Sequence, residues 1–381
     1  MSILIAPDKF KDALDAAGVA AALTAGVRDA LPDADISTCP LGDGGEGTGQ
    51  VLAAALGAEE HHAAVLDPLG HPRSARWWRV PAERLAIVEM AEASGLALLT
   101  TEQRDALRTT SYGTGQLLHA AQAAGCARIL LCVGGSATVD GGAGCLQALG
   151  WEFASGDGAS LIAPLTGGAL NSIATVRPPV GAGASARIDI LSDVDNPLLG
   201  PRGAAPVFGP QKGATRAAVR ELEHGLVHWA DLLEHARGAQ VRSVPGGGAA
   251  GGIAAGLAAA LNARILPGFD EVARHVGLRA KLAACELCLT GEGRVDEQTE
   301  YGKVVAGVAR MAAHEGVPVI AFAGAVRLQR GQALDEWARA MGLDRLVVIT
   351  PPGVRLAKAL AATADNLRRA ARAVLSARRV V

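Results

Sequence analysis

Apolar, β-compatible runs alternate with helical ones at both ends of the chain, and this alternation constrains the fold more than any other feature. At the start, "SILIAP" is followed by "DAAGVAAALTAGVRDAL", with helical spacing, and then by the extended run "ADISTCPL". The same grammar resumes near the other end. "ELCLTGEG", "VPVIAFAG" and "DRLVVITP" read as strands, "GKVVAGVARMAAHEG" as a helix, and "ALAATADNLRRAARAVLSA" as a terminal helix. Strands separated by helices need crossover connections, which are right-handed, and so imply a parallel sheet.

From about Ala64 to Ala284 the texture changes. Short extended runs around Asp-Pro and His-Pro turns give way to "ARILLCVGG" and "IDILSDV", with helices between. At 381 residues the chain exceeds the size at which one core keeps growing. We therefore expect an α/β protein of two α/β domains. A Rossmann-like parallel-sheet domain is formed from both termini (residues 1–63 plus 285–381), a second α/β domain (64–284) is inserted, and the active site lies in the cleft between them. Two consecutive domains dividing near residue 180 are the alternative. "PPVGAGASA" is the only linker-like stretch, and no repeat of fixed period occurs.

Composition narrows the partners. A net charge of -2 leaves no electrostatic footprint for nucleic acid or an anionic membrane. Aromatic residues are only 3% of the chain, so recognition should rest on backbone amides, carboxylates and a few cations. The Gly- and Ala-rich "GGGAAGGIAAGLAAALNA" reads as a closely packed internal helix, not a membrane span. Six cysteines in mostly apolar contexts fit a reducing compartment, and the N-terminal apolar stretch is too short for a signal peptide. The expectation is a cytoplasmic protein, with a homo-oligomer left open.

Four glycine-rich loops carry acid. "PLGDGGEGTGQVLAAAL" holds Asp43 and Glu46, "LLCVGGSATVDGGAG" holds Asp140, "IDILSDVDNPLLGPRGA" holds Asp193 and Asp195, and "LCLTGEGRVDEQTEYGK" holds Glu292 and Asp296. Each follows an apolar strand, and ligands of open α/β sheets bind at the carboxyl ends of strands. Any one carboxylate could be a helix cap. As a set they alternate with hydroxyls (Thr48, Ser136, Thr138, Thr290) and with cations at similar turns (Lys9, Lys11, Lys212, Lys303). Two carboxylates in a phosphate nest would repel a phosphate unless a cation intervenes. Mg²⁺, held by carboxylates and bridging phosphate oxygens, turns that repulsion into attraction, so the pattern describes a site for a metal-bound polyphosphate.

Other motifs are weak. There is no G-x-x-x-x-G-K-[ST] and no G-x-S-x-G. Gly246, Gly248 and Gly251 formally match a dinucleotide fingerprint but lack a good preceding strand. His224, His228 and His235 share a helical face that reads as solvated surface.

Taken in order, "APDKFK", "PLGDGGEGT", "GGSATVDGG", "SDVDNPLLGPRGAAPVFGPQKGA", "PGGGAAGG" and "TGEGRVDEQTEYGK" resemble the bacterial glycerate kinase family over most of the chain. Val139 stands where that family usually has Asn, and Asp195 where it usually has Thr. The resemblance implies a two-domain α/β enzyme that phosphorylates D-glycerate from ATP, typically giving 2-phosphoglycerate. On that reading Asp193 accepts or orients the hydroxyl proton, and Asp43 and Asp296 hold Mg²⁺. Lys9 and Lys212 neutralise the transferring phosphoryl group or the glycerate carboxylate. Lys11, Gly134, Gly135, Ser136, Thr138, Asp140, Asn196, Gly291, Glu292 and Lys303 bind substrate or nucleotide. Phosphorylation at the 3-hydroxyl, a nicotinamide-dependent hydroxyacid oxidoreductase and a catalytically silent metabolite-binding regulator are the rival readings.

Overall fold

In the computed structural model, described for residues 1–179, 186–238, 240–295, 304–327 and 333–378, the chain divides into two compact units. Unit 1 comprises Met1–Asp43, Gln50–Ala55 and Phe269–Val381; unit 2 comprises Gly44–Gly49 and Leu56–Gly268. The strands in chain order are β1 Ser2–Ile5, β2 Asp35–Thr38, β3 Glu59–Leu66, β4 Pro72–Val80, β5 Leu85–Glu89, β6 Arg128–Cys132, β7 Glu152–Ala154, β8 Thr175–Arg177, β9 Arg187–Leu191, β10 Arg264–Leu266, β11 Leu287–Val295, β12 Val319–Val326 and β13 Arg345–Val348. An edge at residue 63 would cut β3, which pairs along its whole length with β4, so 56–63 go with unit 2. The helix Leu278–Ala283 goes with unit 1, where Arg279 pairs with Glu315.

Unit 1 is a five-stranded sheet in the order β13-β12-β11-β1-β2, parallel throughout. Numbered within the unit this is 2-1-3-4-5, a doubly wound order whose topological switch point falls between β1 and β11. The helix Ala16–Ala30 starts where Asp15 accepts a bond from Gly18 N at 2.7 Å. Its Val19, Leu23 and Val27 lie in one core with Leu367, Ala371 and Leu375 of the C-terminal helix Thr363–Arg378. The terminal helical run is two helices, Leu356–Ala361 and Thr363–Arg378.

Unit 2 holds a six-stranded sheet in the order β10-β9-β6-β5-β4-β3. β5, β6, β9 and β10 run parallel, so their carboxyl ends open on one edge; β4 is antiparallel to both β3 and β5. The antiparallel pair has a local reason: "DPLG" between β3 and β4 is too short for a crossover. Asp67 Oδ1 closes the turn by accepting from Leu69 N and His71 N. At the other end of the sheet buried Asp189 faces Arg128, Arg187 and Arg264, one from each of β6, β9 and β10. The core gathers Leu131, Leu146, Ile190, Leu226, Trp229, Ile253 and Leu257. β7 and β8 pair only with each other. Of "PPVGAGASA", residues 180–185 lie outside the described residues. Among the described residues no helix is long and apolar enough to cross a membrane.

The internal helix Ile253–Leu261 packs backbone against backbone. A Cβ on Gly256 would lie 2.0 Å from Gly141 O, the carbonyl that accepts from Trp229 Nε1 at 3.0 Å. Helix propensity favours Gly256→Ala by about 1 kcal/mol. The clash reverses the sign, and we expect a net loss of about 1–3 kcal/mol in urea unfolding; a stabilised variant would show that this contact is not tight.

Candidate active site

The carboxyl end of unit 1's sheet is acidic. Asp8 follows β1 with only 9% of its surface exposed; its N donates to Gly291 O at 2.9 Å, and its Oδ1 accepts from Lys9 N at 2.7 Å. Burial pushes its carboxyl well above the usual range, and the field of Asp43 pushes further; Lys9 opposes the shift and Glu292 adds to it. Asp8, just beyond β1, thus feels both Asp43, in the loop after β2, and Glu292, within β11, around the switch point. Thr290 Oγ1 fixes the neighbouring strand end by donating to Ala6 O at 2.7 Å. Asp8 was not among the sequence candidates, although it stands inside "APDKFK". Among the described residues no group of three His, Cys, Asp or Glu side chains is arranged to hold a metal ion.

In unit 2 the loop Gly44–Gly49 sits among the carboxyl ends of β5, β6 and β9. Gly134 N donates to Gly44 O at 3.2 Å, and a Cβ on Gly134 would lie 2.4 Å from Gly45 Cα, so only glycine allows the two backbones this close. On the other side Gly44 abuts Leu191 and Ser192. The loop's amides are already engaged. Glu89, at the end of β5 and 3% exposed, accepts from Gly49 N at 2.6 Å and from Gly47 N at 3.1 Å, and Thr48 Oγ1 caps Gly44 N at 3.2 Å. An internal carboxylate therefore takes the two N–H groups that a phosphate nest would offer. This answers the charge problem for that loop, and the sequence carried little sign of it: Glu89 closes the apolar run "LAIVE" and reads as a strand end.

Lys212 lies 2% exposed at the end of a short turn, Pro210–Lys212. Its Nζ donates to Ser136 Oγ and to Thr138 O, both at 2.7 Å. Burial lowers its ammonium to about 7, against the opposing field of Asp140. Asp140 is fully buried. Its Oδ2 accepts from Ser111 N and Ser111 Oγ at 2.7 Å, and its Oδ1 from Gly142 N at 3.1 Å. Desolvation raises its carboxyl while these donors pull it down. Thr138 Oγ1 is buried beside Lys212 without a hydrogen-bond partner.

Asp193 stands half-buried two residues beyond β9. Beside it Asp195 pairs with Arg202 at 2.7 Å, and Asn196 Nδ2 donates to Arg202 O at 2.8 Å. The structure therefore brings Gly134, Gly135, Ser136, Thr138, Asp140, Asp193, Asn196 and Lys212 into unit 2, and Lys9, Lys11, Asp43, Gly291 and Glu292 into unit 1. Asp296 and Lys303 lie outside the described residues. The glycines of "PGGGAAGG" serve packing: Gly248 N donates to Asn196 O at 2.9 Å and Gly141 N to Gly251 O at 3.0 Å. His228 Nε2 meets Ile173 O at 2.6 Å and His224 Nδ1 meets Asn171 Oδ1 at 2.9 Å, so both histidines are structural.

Charged side chains gathered at the carboxyl ends of parallel strands in two α/β units define an enzyme that handles small anionic substrates. Comparison with known proteins sharpens the class. Residues 3–379 match the glycerate kinase family, and the chain belongs to it. It is 41% identical to the glycerate kinase of Halalkalibacterium halodurans, covering 97% of this chain and 96% of that one. It is 40% identical to the glycerate 2-kinase of Escherichia coli, covering 98% and 96%. A crystal structure from Salmonella typhimurium LT2, described as a candidate glycerate kinase 2, superposes with a TM-score of 0.82 at 38% identity and covers 100% of this chain and 98% of that one.

The lowered ammonium of Lys212 has a pH signature. Its folded value of about 7 lies below the ordinary 10.5, so between these values the unfolded chain binds the extra proton and stability rises with pH; below pH 7 the penalty is complete. We expect the unfolding free energy of the wild type, relative to Lys212→Met, to improve by on the order of a few kcal/mol from pH 7 to 10. A difference that stays flat with pH would mean that Lys212 is not a buried ammonium.

Proposed function

We propose that the chain transfers the γ-phosphoryl group of ATP to the 2-hydroxyl of D-glycerate, giving 2-phosphoglycerate and ADP. The observation that carries this reading is its 40% identity, over nearly the whole length, to a protein named glycerate 2-kinase. We also take it to be cytoplasmic, since all six cysteines are free thiols and five of them are buried.

The roles follow from charge. Phosphoryl transfer passes through a loose transition state, so the protein contributes positioning and charge neutralisation. Mg²⁺ suits the donor set of Asp8, Asp43 and Glu292: these are hard oxygen ligands, and Asp8 already bears the repulsion of the other two. No three-carboxylate cage is needed, because Mg²⁺ is usually held by one or two carboxylates together with substrate phosphates. Asp296 is a further candidate from the sequence. When bound, the metal would neutralise charge on the phosphate oxygens. Lys9 and Lys212 supply positive charge to the phosphoryl oxygens or the glycerate carboxylate, and Ser136 with the 134–138 turn orients them. Asp193 takes the hydroxyl proton of glycerate.

A coupled ADP-release assay with Mg-ATP and a panel of hydroxyacids, followed by phosphorus NMR of the product, tests the activity. We expect D-glycerate to be turned over to 2-phosphoglycerate; a 3-phosphorylated product or reduction of NAD(P) would overturn the reading. Asp193→Asn should lower kcat by about 10²- to 10⁴-fold at any Mg²⁺ concentration, while Asp43→Asn should recover part of its rate as Mg²⁺ is raised. Recovery in Asp193→Asn, or full activity in Asp43→Asn at low Mg²⁺, would exchange or remove these roles.

A further inference from the structure

Asp140 has no route to a ligand. It is fully buried and its carboxylate is ringed by Ser111 N, Ser111 Oγ and Gly142 N. Ser111 Oγ is itself held, accepting from Cys145 N at 2.9 Å in the helix Ala143–Ala148. Yet the same short segment, 136–140, presents both acceptors of the Lys212 ammonium, Ser136 Oγ and Thr138 O. Resting on the reading that Lys212 acts on the phosphoryl group or the glycerate carboxylate, we propose that Asp140, fastened by Ser111, is the positioning residue of Lys212: it anchors the turn that holds the ammonium and supplies its buried counter-charge.

The surroundings leave that task to Asp140. On the 101–108 segment the Arg104 carbonyl abuts Gly213, next to Lys212, and Glu102, Asp105 and Arg108 line a cavity with Gly213. Of the charged groups around Lys212, the one whose field acts on it is Asp140, from the 136–140 turn. Removing it would leave a buried ammonium with two neutral acceptors and no counter-ion, and the proton would leave at a lower pH.

The test is the pH profile of kcat/KM for Mg-ATP, which reports groups of the free enzyme. The wild type should lose activity as pH rises through about 7. In Lys212→Arg that limb should vanish, because a guanidinium stays charged. In Asp140→Asn the midpoint should move down by about one unit, with the rate partly recovered at acid pH. Ser111→Ala, which leaves the carboxylate in place but less well stabilised, should move it the same way by less, and it keeps the proposal testable if Asp140→Asn does not fold. A rate lowered by one factor at every pH in both variants, with the midpoint unmoved, would overturn the proposal and leave Asp140 a scaffold residue. If the alkaline limb instead survives in Lys212→Arg, the reading of Lys212 fails, and not the link to Asp140 alone.

Discussion

The carboxylate of Glu89 on the amides of Gly47 and Gly49 is the interaction on which the rest of unit 2's site edge depends. It ties the glycine loop to the end of β5, and Gly134 and Leu191 then hold the same loop against the ends of β6 and β9. Bonds from N–H to a buried carboxylate contribute about 1.5–3 kcal/mol each, enough to fix a segment that glycine would otherwise leave loose. With those amides engaged by Glu89 and Thr48, the loop is not an open phosphate nest.

Charge of each sign is concentrated in a different way. In unit 1 the fields of Asp43 and Glu292 add to the burial of Asp8, a costly arrangement that a bound cation would relieve. In unit 2 one lysine is buried with two neutral acceptors and a distant-in-sequence support, Ser111 and Asp140, behind it. On the proposed reading a loose phosphoryl transition state would use both, acid able to hold a metal ion and a fixed positive group. Preorganisation is bought here with strained electrostatics, visible in the raised Asp8 and the lowered Lys212.

Much of the fold was legible because parallel strands buried on both faces read as unbroken apolar runs. "SILIAP", "RILLC" and "IDIL" announce β1, β6 and β9. The β3–β4 pair was less legible as antiparallel, since direction is set by the length of a turn and not by periodicity. Of the site, the loops and their acids could be read from glycine spacing. What could not be read was which side chain faces inward. Asp140 and Asp193 look alike in sequence, yet one is sealed and the other half-buried. Glu89 and Asp8 were missed because a lone acid at the end of an apolar run is indistinguishable from a strand terminus until the partner loop, distant in sequence, is placed beside it.

Residue-resolved hydrogen exchange at Gly47 and Gly49 tests most directly the claim that this loop is held from within. Both amides should exchange slowly in the protein without nucleotide and should change little on addition of Mg-ADP and D-glycerate, because Glu89 and not phosphate is their acceptor. Fast exchange in the free protein that becomes slow only with nucleotide would contradict the account and make the loop a phosphate cradle after all.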